Sequence, residues 1–259
     1  MSPIALEVVG LKKGYAKDGR VLPVLDVDRL AVREGEFVTV VGPSGCGKST
    51  LLHILGGFIP ADGGRIQVYG REVTGPGPDR GMMFQEFALF PWRTVAGNVA
   101  WSLEVQGRPK AEREATVTGY LELMSLTEFR NHLPGELSGG MKQRVALARV
   151  LAFDPKVLLM DEPFGALDAQ TREVMQEELT RLWERTGKTI LFVTHDIEEA
   201  VYLGDRVMVL SPRPARVREE VRIGLPRPRD LTVKKSIACL EYRNRIWDLI
   251  RSDAGAPPG

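Results

Sequence analysis

Residues 37–50 read Phe-Val-Thr-Val-Val-Gly-Pro-Ser-Gly-Cys-Gly-Lys-Ser-Thr and are the most informative part of the sequence about its fold. Its first part, Phe37 to Val41, is a short apolar run that predicts a buried strand. The glycine-rich turn that follows matches the pattern G-x-x-x-x-G-K-[ST], and a helix is expected from about Lys48. Glycines permit positive φ angles, so successive N–H groups can point inward at the start of that helix. The stretch therefore predicts a phosphate cradle between a strand and a helix.

Each position of the cradle has a chemical reason. Lys48 is placed to reach the β- and γ-phosphates of a nucleotide, and the Ser49 hydroxyl is placed to ligate Mg²⁺. The cradle comprises Gly42, Pro43, Ser44, Gly45, Cys46, Gly47, Lys48, Ser49 and Thr50. An ordinary glycine turn is the alternative, and the strand and helix predicted on its two sides disfavour it. We interpret Cys46 as an unconstrained loop position, at which bulky alkylation would block nucleotide binding.

A second apolar run, Val157 to Met160, ends in two acids, Asp161 and Glu162. Ligands of parallel sheets gather at the carboxyl ends of the strands. Asp161 is therefore expected near the phosphates, where it would hold Mg²⁺ directly or through water. Glu162 would point differently and could accept a proton from a water aligned with the γ-phosphate. A pair of solvated acids in a loop is the alternative, which a preceding buried strand makes less attractive.

The rest of the chain alternates apolar strands with helical segments. Two runs rich in Val and Leu, Ile4–Val9 and Val21–Val32, predict an N-terminal β-hairpin. Further strands are predicted at 65–69, 189–193 and 206–210, and helices at 95–106, 110–125, 140–151, 168–186, 196–203 and 237–250. This alternation indicates a parallel sheet covered on both faces, with the helices of residues 95–151 as an insertion.

Three stretches are predicted to lack regular structure. Residues 74–80 contain too many glycines and prolines for a strand or helix. The arginine-rich stretch 213–229 contains Glu219 and Glu220 and is interpreted as a solvated linker, with anionic lipid contact as the alternative. Residues 255–259 are expected to fray.

Composition sets broad limits. The chain has 259 residues, 43% of them hydrophobic and 27% charged, which is ordinary for a globular protein and excludes a disordered or collagen-like chain. Two cysteines are too few for a disulfide framework. The net charge of +1 gives no electrostatic reason to expect nucleic acid binding.

The sequence contains no signal-peptide pattern and no run of roughly 18 apolar residues. A cytoplasmic protein is expected, linked to a membrane only through a partner.

A second glycine-rich helix start lies at residues 137–144, which read Leu-Ser-Gly-Gly-Met-Lys-Gln-Arg. Ser138 suits an N-cap, and the N–H groups at this helix start could bind an anion. Simple capping is the alternative. The chain thus has two predicted anion-binding loops, but only the first contains a lysine. Two arrangements are possible: both loops bind the same nucleotide, or the second loop binds a nucleotide held by another copy of the chain. A two-fold dimer would satisfy both cradles reciprocally.

In this combination the motifs resemble those of the ABC (ATP-binding cassette) ATPases. The family's order is matched by 42–50, Gln85, 137–144, Asp161-Glu162, Ala166-Leu167-Asp168 and Thr194-His195-Asp196, and the resemblance covers roughly residues 1–222. It implies an α/β fold with a P-loop (RecA-like) parallel-sheet core, an N-terminal antiparallel β subdomain and an inserted α-helical subdomain. The implied ATP-binding core is 1–85 and 152–222, the helical subdomain is 86–151, and a tail with one helix follows at 223–259.

The resemblance also assigns individual roles. Tyr15 matches the aromatic residue that stacks on adenine. Gln85 matches the glutamine that contacts Mg²⁺ and the attacking water, and His195 matches the switch histidine that holds the γ-phosphate. By similarity, two copies sandwich two ATP molecules, each between one P-loop and the partner's signature. The implied catalytic residues are Glu162, His195 and Gln85, the Mg²⁺ ligands are Ser49, Gln85 and Asp161, and the residues acting in trans are Ser138, Gly139 and Gly140. Asp168 matches a loop that links the two subunits, whereas His53 and His132 match nothing and are interpreted as structural.

Finer features indicate which branch of the family applies. Residues 75–81 (Gly-Pro-Gly-Pro-Asp-Arg-Gly) and 86–92 (Glu-Phe-Ala-Leu-Phe-Pro-Trp) resemble the nitrate/sulfonate/taurine importer group. That resemblance implies a homodimeric ATPase subunit on the inner face of the cell membrane. Its implied partners are two transmembrane permease subunits and, indirectly, a periplasmic or lipid-anchored solute-binding protein. Phe87, Leu89, Phe90 and Trp92 would then be candidate permease contacts, with packing inside the helical subdomain as the alternative.

Other functions remain as competing hypotheses. A soluble ABC ATPase acting in assembly, translation or repair would share every motif but lack the membrane partner. A P-loop kinase would need an acceptor site and no second cradle. A GTPase would need a guanine-reading N-K-x-D stretch, which the sequence lacks.

Overall fold

The computed structural model describes residues 2–251. The strands are β1 (Ile4–Lys17), β2 (Arg20–Arg33), β3 (Phe37–Val41), β4 (Gly63–Val68), β5 (Arg71–Glu72), β6 (Arg80–Met83), β7 (Val157–Asp161), β8 (Thr189–Val193), β9 (Arg206–Leu210) and β10 (Val217–Arg222). The helices are α1 (Lys48–Leu55), α2 (Val95–Val105), α3 (Lys110–Leu123), α4 (Gly139–Ala152), α5 (Ala169–Thr186), α6 (Ile197–Leu203) and α7 (Ile237–Arg251). Short 3-10 helices lie at Thr127–Phe129, Pro134–Glu136 and Leu231–Lys235. The fraying expected at 255–259 lies outside the described residues.

The predicted N-terminal hairpin is confirmed and is longer than its apolar runs. β1 and β2 pair antiparallel, and Asp18 and Gly19 turn the chain with φ angles of 50° and 73°. A strand order of β2-β1-β4-β5 completes an antiparallel sheet. Its buried face packs on α1 and on one side of the second sheet through a shared apolar cluster that includes Leu6, Leu30 and Leu52. The hairpin is therefore held against the helix that follows the phosphate cradle.

The second sheet has six strands in the order β10-β9-β3-β8-β7-β6. β3 lies between β8 and β9 and is parallel to both, and β7 is parallel to β6 and β8. All five residues of β3, β7 and β8 are buried, because helices or the antiparallel sheet cover both faces. This confirms the predicted parallel core and brings the carboxyl ends of β3, β7 and β8 to one edge.

Two strands of this sheet were not anticipated by the sequence pattern. β6 reads Arg-Gly-Met-Met and becomes a strand by pairing with β7, a long-range interaction that no local pattern shows. β10 pairs antiparallel with β9 inside the stretch interpreted as a solvated linker, so that interpretation is wrong. Its charged residues alternate with partly buried ones along a sheet edge, and Glu220 bonds to Arg206 across the strands.

Helices α2, α3 and α4 form the predicted insertion. Their inward residues, including Val99, Leu121 and Val145, are fully or almost fully buried. The same apolar cluster continues through Phe164 to Phe192 in the sheet. The insertion therefore shares its core with one face of the parallel sheet rather than having a separate core.

The C-terminal segment is held against α5 and α6 by two arginines, Arg229, which is buried, and Arg227, which is partly buried. Arg229 is 5% exposed and donates to the carbonyls of Tyr202 and Gly204, both at 2.8 Å, at the end of α6. These carbonyls have no partner within the helix, so the guanidinium satisfies groups that would otherwise be orphaned. Burial lowers the pKa of Arg229 to about 10, which leaves the side chain charged at neutral pH. Arg227 lies over the Trp183 ring at 4.3 Å and pairs with Asp205 at 2.9 Å.

Replacing Arg229 should destabilise the fold. In Arg229→Met the carbonyls at the end of α6 lose their donor while staying buried, and we expect a loss of about 2 kcal/mol in the free energy of unfolding. Arg222→Met, at an exposed position on β10, is the matched control and should change that free energy by less than about 0.5 kcal/mol. Urea unfolding followed by circular dichroism measures both. Equal effects of the two substitutions would contradict this role of Arg229.

Candidate nucleotide-binding and hydrolysis site

The glycine-rich turn joins the end of β3 to the start of α1. Gly45 and Gly47 have φ angles of 72° and 124°, which L side chains rarely adopt. A Cβ on Gly47 would also lie 2.9 Å from side-chain atoms of both Val24 and Leu25. The glycine is thus required twice, by its dihedral angle and by the close approach of β2. Positive φ angles at these two positions are typical of the backbone that forms an anion nest at a helix start.

Lys48 supplies the positive charge of this loop, and it is buried. Its Nζ donates to the carbonyls of Gly42 at 3.0 Å and Pro43 at 3.2 Å, and the residue is 6% exposed. The ammonium group therefore lies within the curve of the loop, where phosphate oxygens would be its natural partners. Arg213, from the turn after β9, also reaches the loop and donates to the Gly45 carbonyl at 2.5 Å. No sequence pattern signals that contact, because the two residues are 168 positions apart.

Ser49 and Asp161 form the oxygen-rich part of the site. The Ser49 hydroxyl donates to Asp161 Oδ1 at 3.0 Å, which joins the start of α1 to the end of β7. Burial raises the pKa of Asp161, against the lowering effects of the Ser49 hydrogen bond and the nearby His53. A hydroxyl and a buried carboxylate are donors that suit Mg²⁺, and a cation there would offset the cost of burying the charge. The residues present therefore fit the metal.

Sequence reasoning assigns His53 no role, yet its Nε2 lies 3.9 Å from Asp161 Oδ2. The spacing along the helix could have indicated that His53 lies near the site. His53 follows Ser49 by four residues, so both lie on the same face of α1. The His53 ring also contacts Phe84, with ring centroids 5.9 Å apart. His53 is therefore a neighbour of the site rather than a distant structural residue.

Glu162 and His195 meet on the other side of Asp161. His195 Nδ1 lies 2.8 Å from Glu162 Oε2, and the two residues follow β7 and β8. Glu162 has a φ angle of 43°, a left-handed conformation that costs about 1 kcal/mol or more in a residue with a side chain. This turn lets two consecutive carboxylates serve different partners, Ser49 for Asp161 and His195 for Glu162.

Gln85 approaches the same place from the end of β6. A Cβ built on Gly165 would lie 3.9 Å from both Gln85 Nε2 and Glu162 Oε2, so the two side chains flank one small residue. Gln85 is exposed to solvent. The structure thus places Gln85 near Glu162, and Glu162 beside His195.

Tyr15 lies on the hairpin, outside this cluster. It is 41% exposed, faces Lys13 at 5.5 Å and pairs with Leu22 in β2. Leu22 is two residues from Val24, which packs against Gly47. The hairpin therefore carries the exposed Tyr15 ring on β1, opposite the segment of β2 that adjoins the phosphate loop.

The second glycine-rich helix start is built as expected. Ser138 is the N-cap of α4, and its Oγ accepts from the Met141 N–H at 3.3 Å. Ser138 and Gly139 are exposed to solvent and so are accessible to another molecule. Asp168 caps α5 in the same manner by accepting from the Thr171 N–H at 3.0 Å, and hydrogen bonds from Thr171 lower its pKa.

The phosphate loop, the paired acids and the histidine define the site of an ATP-hydrolysing cassette. The chain belongs to the ABC transporter family, whose model matches residues 25–165. A nitrate import ATP-binding protein of Synechocystis sp. is 47% identical over 253 residues, 95% of each chain. A taurine import ATP-binding protein of Roseobacter denitrificans is 50% identical over 85% of each chain. An uncharacterized ABC transporter ATP-binding protein of Methanocaldococcus jannaschii is 49% identical over 96% of this chain and 92% of its own.

Solved structures agree with this assignment. The bacterial ABC transporter cassette MJ0796, solved as a dimer, is 34% identical with a TM-score of 0.75 over 85% of this chain and 100% of its own. A dimeric post-hydrolysis state of the same cassette, bound to ADP and Pi, matches at 33% identity with the same TM-score. The predicted α/β P-loop fold and family are therefore confirmed. Among residues 2–251, no helix has both the length and the apolar character needed to cross a membrane.

The interpretation of Cys46 as an unconstrained loop position is wrong. Cys46 is 2% exposed and packs in the apolar cluster beneath the loop. Its Sγ would lie 3.2 Å from a Cβ on Gly42, so the thiol fills the space under the first glycine of the motif. Burial raises the pKa of Cys46, with Lys48 opposing the shift.

Cys46 should therefore resist alkylation in the folded protein. Cys239 is also buried, so Cys239→Ala isolates the signal of Cys46. We expect Ellman's reagent at pH 8 to label this variant at least about tenfold more slowly when folded than in denaturant, because a buried thiol of raised pKa supplies little accessible thiolate. Labelling at equal rates in both conditions would place Cys46 at the surface.

Proposed function

We propose that this chain is the ATP-hydrolysing subunit of an ABC importer for a small solute, an anion such as nitrate, sulfonate or taurine. One observation carries the proposal: relatives that match 85% or more of this chain are a nitrate import and a taurine import ATP-binding protein. The solute itself would be selected by partner proteins, because the cassette contributes only the ATPase. We infer a location on the inner face of the cell membrane, reached through the permease.

The residues of the phosphate loop would bind ATP, with Tyr15 stacking on the adenine. Lys48 is already held inside the loop by carbonyl groups that phosphate oxygens would replace as partners. Ser49, Asp161 and Gln85 would hold Mg²⁺. When bound, Mg-ATP supplies a γ-phosphoryl group whose developing charge the metal neutralises.

Glu162 is the proposed general base. Its carboxylate is oriented by His195 at 2.8 Å and would accept a proton from the water that attacks the γ-phosphate. His195 would hold the γ-phosphate, and Gln85 would contact the same water. The positive φ angle of Glu162 supports this role, because strained backbone conformations are concentrated at functional sites, where they fix the direction of a side chain.

The proposed working unit is a homodimer. Ser138, Gly139 and Gly140 would close on the ATP held by the partner's phosphate loop, so each nucleotide contacts both copies. Exposure of this helix start and the dimeric state of the MJ0796 cassette support the arrangement. We also infer a division into an ATP-binding core (1–85 and 152–222), a helical subdomain (86–151) and a C-terminal tail (223–259).

The segment after Gln85 is the proposed contact with the two permease subunits. Phe87 and Leu89 are partly buried against the core, so they are better explained by packing. Trp92 is 74% exposed and lies beside Phe90, with ring centroids 5.7 Å apart. Trp92 is therefore the strongest candidate to enter the membrane partner.

Glu162→Gln should nearly abolish ATP turnover and leave ATP binding intact. Loss of a general base typically lowers the rate by ~10²–10⁴, whereas an amide of the same size preserves the shape of the site. Phosphate release and binding of a fluorescent ATP analogue measure the two properties. Glu184→Gln, at an exposed position on α5, is the matched control. Near-normal hydrolysis by Glu162→Gln would remove Glu162 from the catalytic role.

Membrane co-purification tests the importer function. Tagged Glu162→Gln protein would be expressed in its own host, solubilised with Mg-ATP and analysed by mass spectrometry. We expect a stoichiometric partner with several membrane spans. Adding Trp92→Ala to this variant should reduce recovery of the partner, whereas Trp92→Ala alone should keep its soluble ATPase activity. Recovery only from the cytosol, with ribosomes, repair factors or assembly proteins, would instead identify a soluble ABC ATPase.

A further inference from the structure

A line of buried polar side chains connects the C-terminal segment to the turn that carries His195. It begins at Lys234, in the short 3-10 helix before α7, whose side chain is 10% exposed. Lys234 Nζ donates to Gln176 Oε1 at 2.8 Å and lies 5.1 Å from the centre of the Tyr202 ring. Its carboxylate neighbours are more distant, with Glu198 at 3.6 Å and Glu173 at 3.8 Å. The amide of Gln176 is therefore its closest partner.

Gln176, on α5, bonds to both Lys234 and the more deeply buried Glu199. It is 2% exposed, and its Nε2 donates to Glu199 Oε1 at 2.8 Å. Because Lys234 can only donate, it fixes which end of the Gln176 amide faces Glu199. Glu199 is buried on α6, and burial raises its pKa against the hydrogen bonds of Thr194 and Gln176. A buried carboxyl group of this kind is costly unless each partner is in place.

Thr194 ends the line, directly before His195. Its hydroxyl accepts from the Asp196 N–H at 3.0 Å and lies near enough to Glu199 to lower the pKa of that carboxyl group. Asp196 in turn caps α6 by accepting from Glu198 N–H at 2.9 Å and Glu199 N–H at 3.2 Å. The residues on both sides of His195 are thus fixed by hydrogen bonds, whereas the His195 side chain is 59% exposed and contacts Glu162. The backbone of this turn must therefore supply much of the orientation of His195.

We propose that Lys234 is a positioning residue for the ATPase reaction, acting through Gln176, Glu199 and Thr194 on the turn that aims His195 at Glu162. The inference rests on the proposed role of His195 in hydrolysis. It gives the C-terminal segment a part in the reaction, since a shift of that segment would change the geometry of the turn. A purely structural Lys234 would stabilise the fold without affecting the chemical step.

Steady-state ATPase kinetics of the purified full-length chain distinguish the two roles. Lys234→Met removes the donor and keeps the length of the side chain, and we expect kcat to fall about threefold to tenfold with KM for ATP unchanged. Lys234→Arg, which keeps a donor, should recover at least half of kcat. Lys235→Met, at the neighbouring exposed position, is the matched control and should match the unsubstituted chain. Circular dichroism at the assay temperature verifies that each variant is folded.

A double-mutant cycle provides a second test. Thr194→Val breaks the other end of the line without changing the volume of the side chain. Its loss of kcat and that of Lys234→Met should not multiply in the double variant, because both act on the same turn. If the losses multiply, or if Lys234→Met raises KM as much as it lowers kcat, the positioning role is overturned.

His195→Ala separates failure of this inference from failure of the proposed function. A large loss of kcat in His195→Ala with an unchanged kcat in Lys234→Met overturns only the role of Lys234. An unchanged kcat in His195→Ala overturns the proposed role of His195 and the inference with it.

Discussion

The whole site depends on one constraint, the parallel pairing of β3 with β8 and of β8 with β7. Because these three strands run in the same direction and are buried on both faces, their carboxyl ends meet at one edge of the sheet. The phosphate loop leaves from β3, the two acids from β7 and His195 from β8. The phosphate loop and His195 each lie directly before the start of a helix, and the side chains of all three groups lie at the same edge of the sheet. The antiparallel hairpin and the helical insertion pack around this arrangement and do not create it.

The carboxylates at this edge of the sheet destabilise the fold when no ligand is bound. Asp161 is a carboxylate in surroundings that raise its pKa, and Glu162 adds a second carboxyl group in a left-handed backbone conformation. The chain offsets part of the cost with the Ser49 hydroxyl, His53 and the contact between Glu162 and His195. A site that binds a cation and several phosphate groups has a physical reason to retain this cost, since its ligand supplies the missing partners.

The C-terminal segment contacts α6, the helix that follows His195, through polar as well as apolar side chains. Arg229 satisfies the carbonyls at the end of α6, and Asp196 satisfies the N–H groups at its start. This helix of seven residues is too short to be stable without such partners. Since His195 directly precedes its cap, contacts made far along the chain help to define the geometry of the site. The part of the C-terminal segment around Arg229 and Lys234 is thus a structural neighbour of the turn that carries His195.

The sequence alone determined the elements whose pattern is local. The glycine turn at 42–50, the apolar runs of β3, β7 and β8, and the Ser138 cap of α4 were all readable, because dihedral angles, burial and capping act over a few residues. They were sufficient to predict the α/β fold and to place the phosphate loop and the two acids at one edge of the sheet, whereas Gln85 and His195 were indicated only by the family resemblance. Only the tertiary structure decided what depends on distant partners: the strand state of β6 and β10, the burial of Cys46 and Arg229, and the approach of Arg213 and His53. A side chain is buried or paired according to what packs against it, and those neighbours come from elsewhere in the chain.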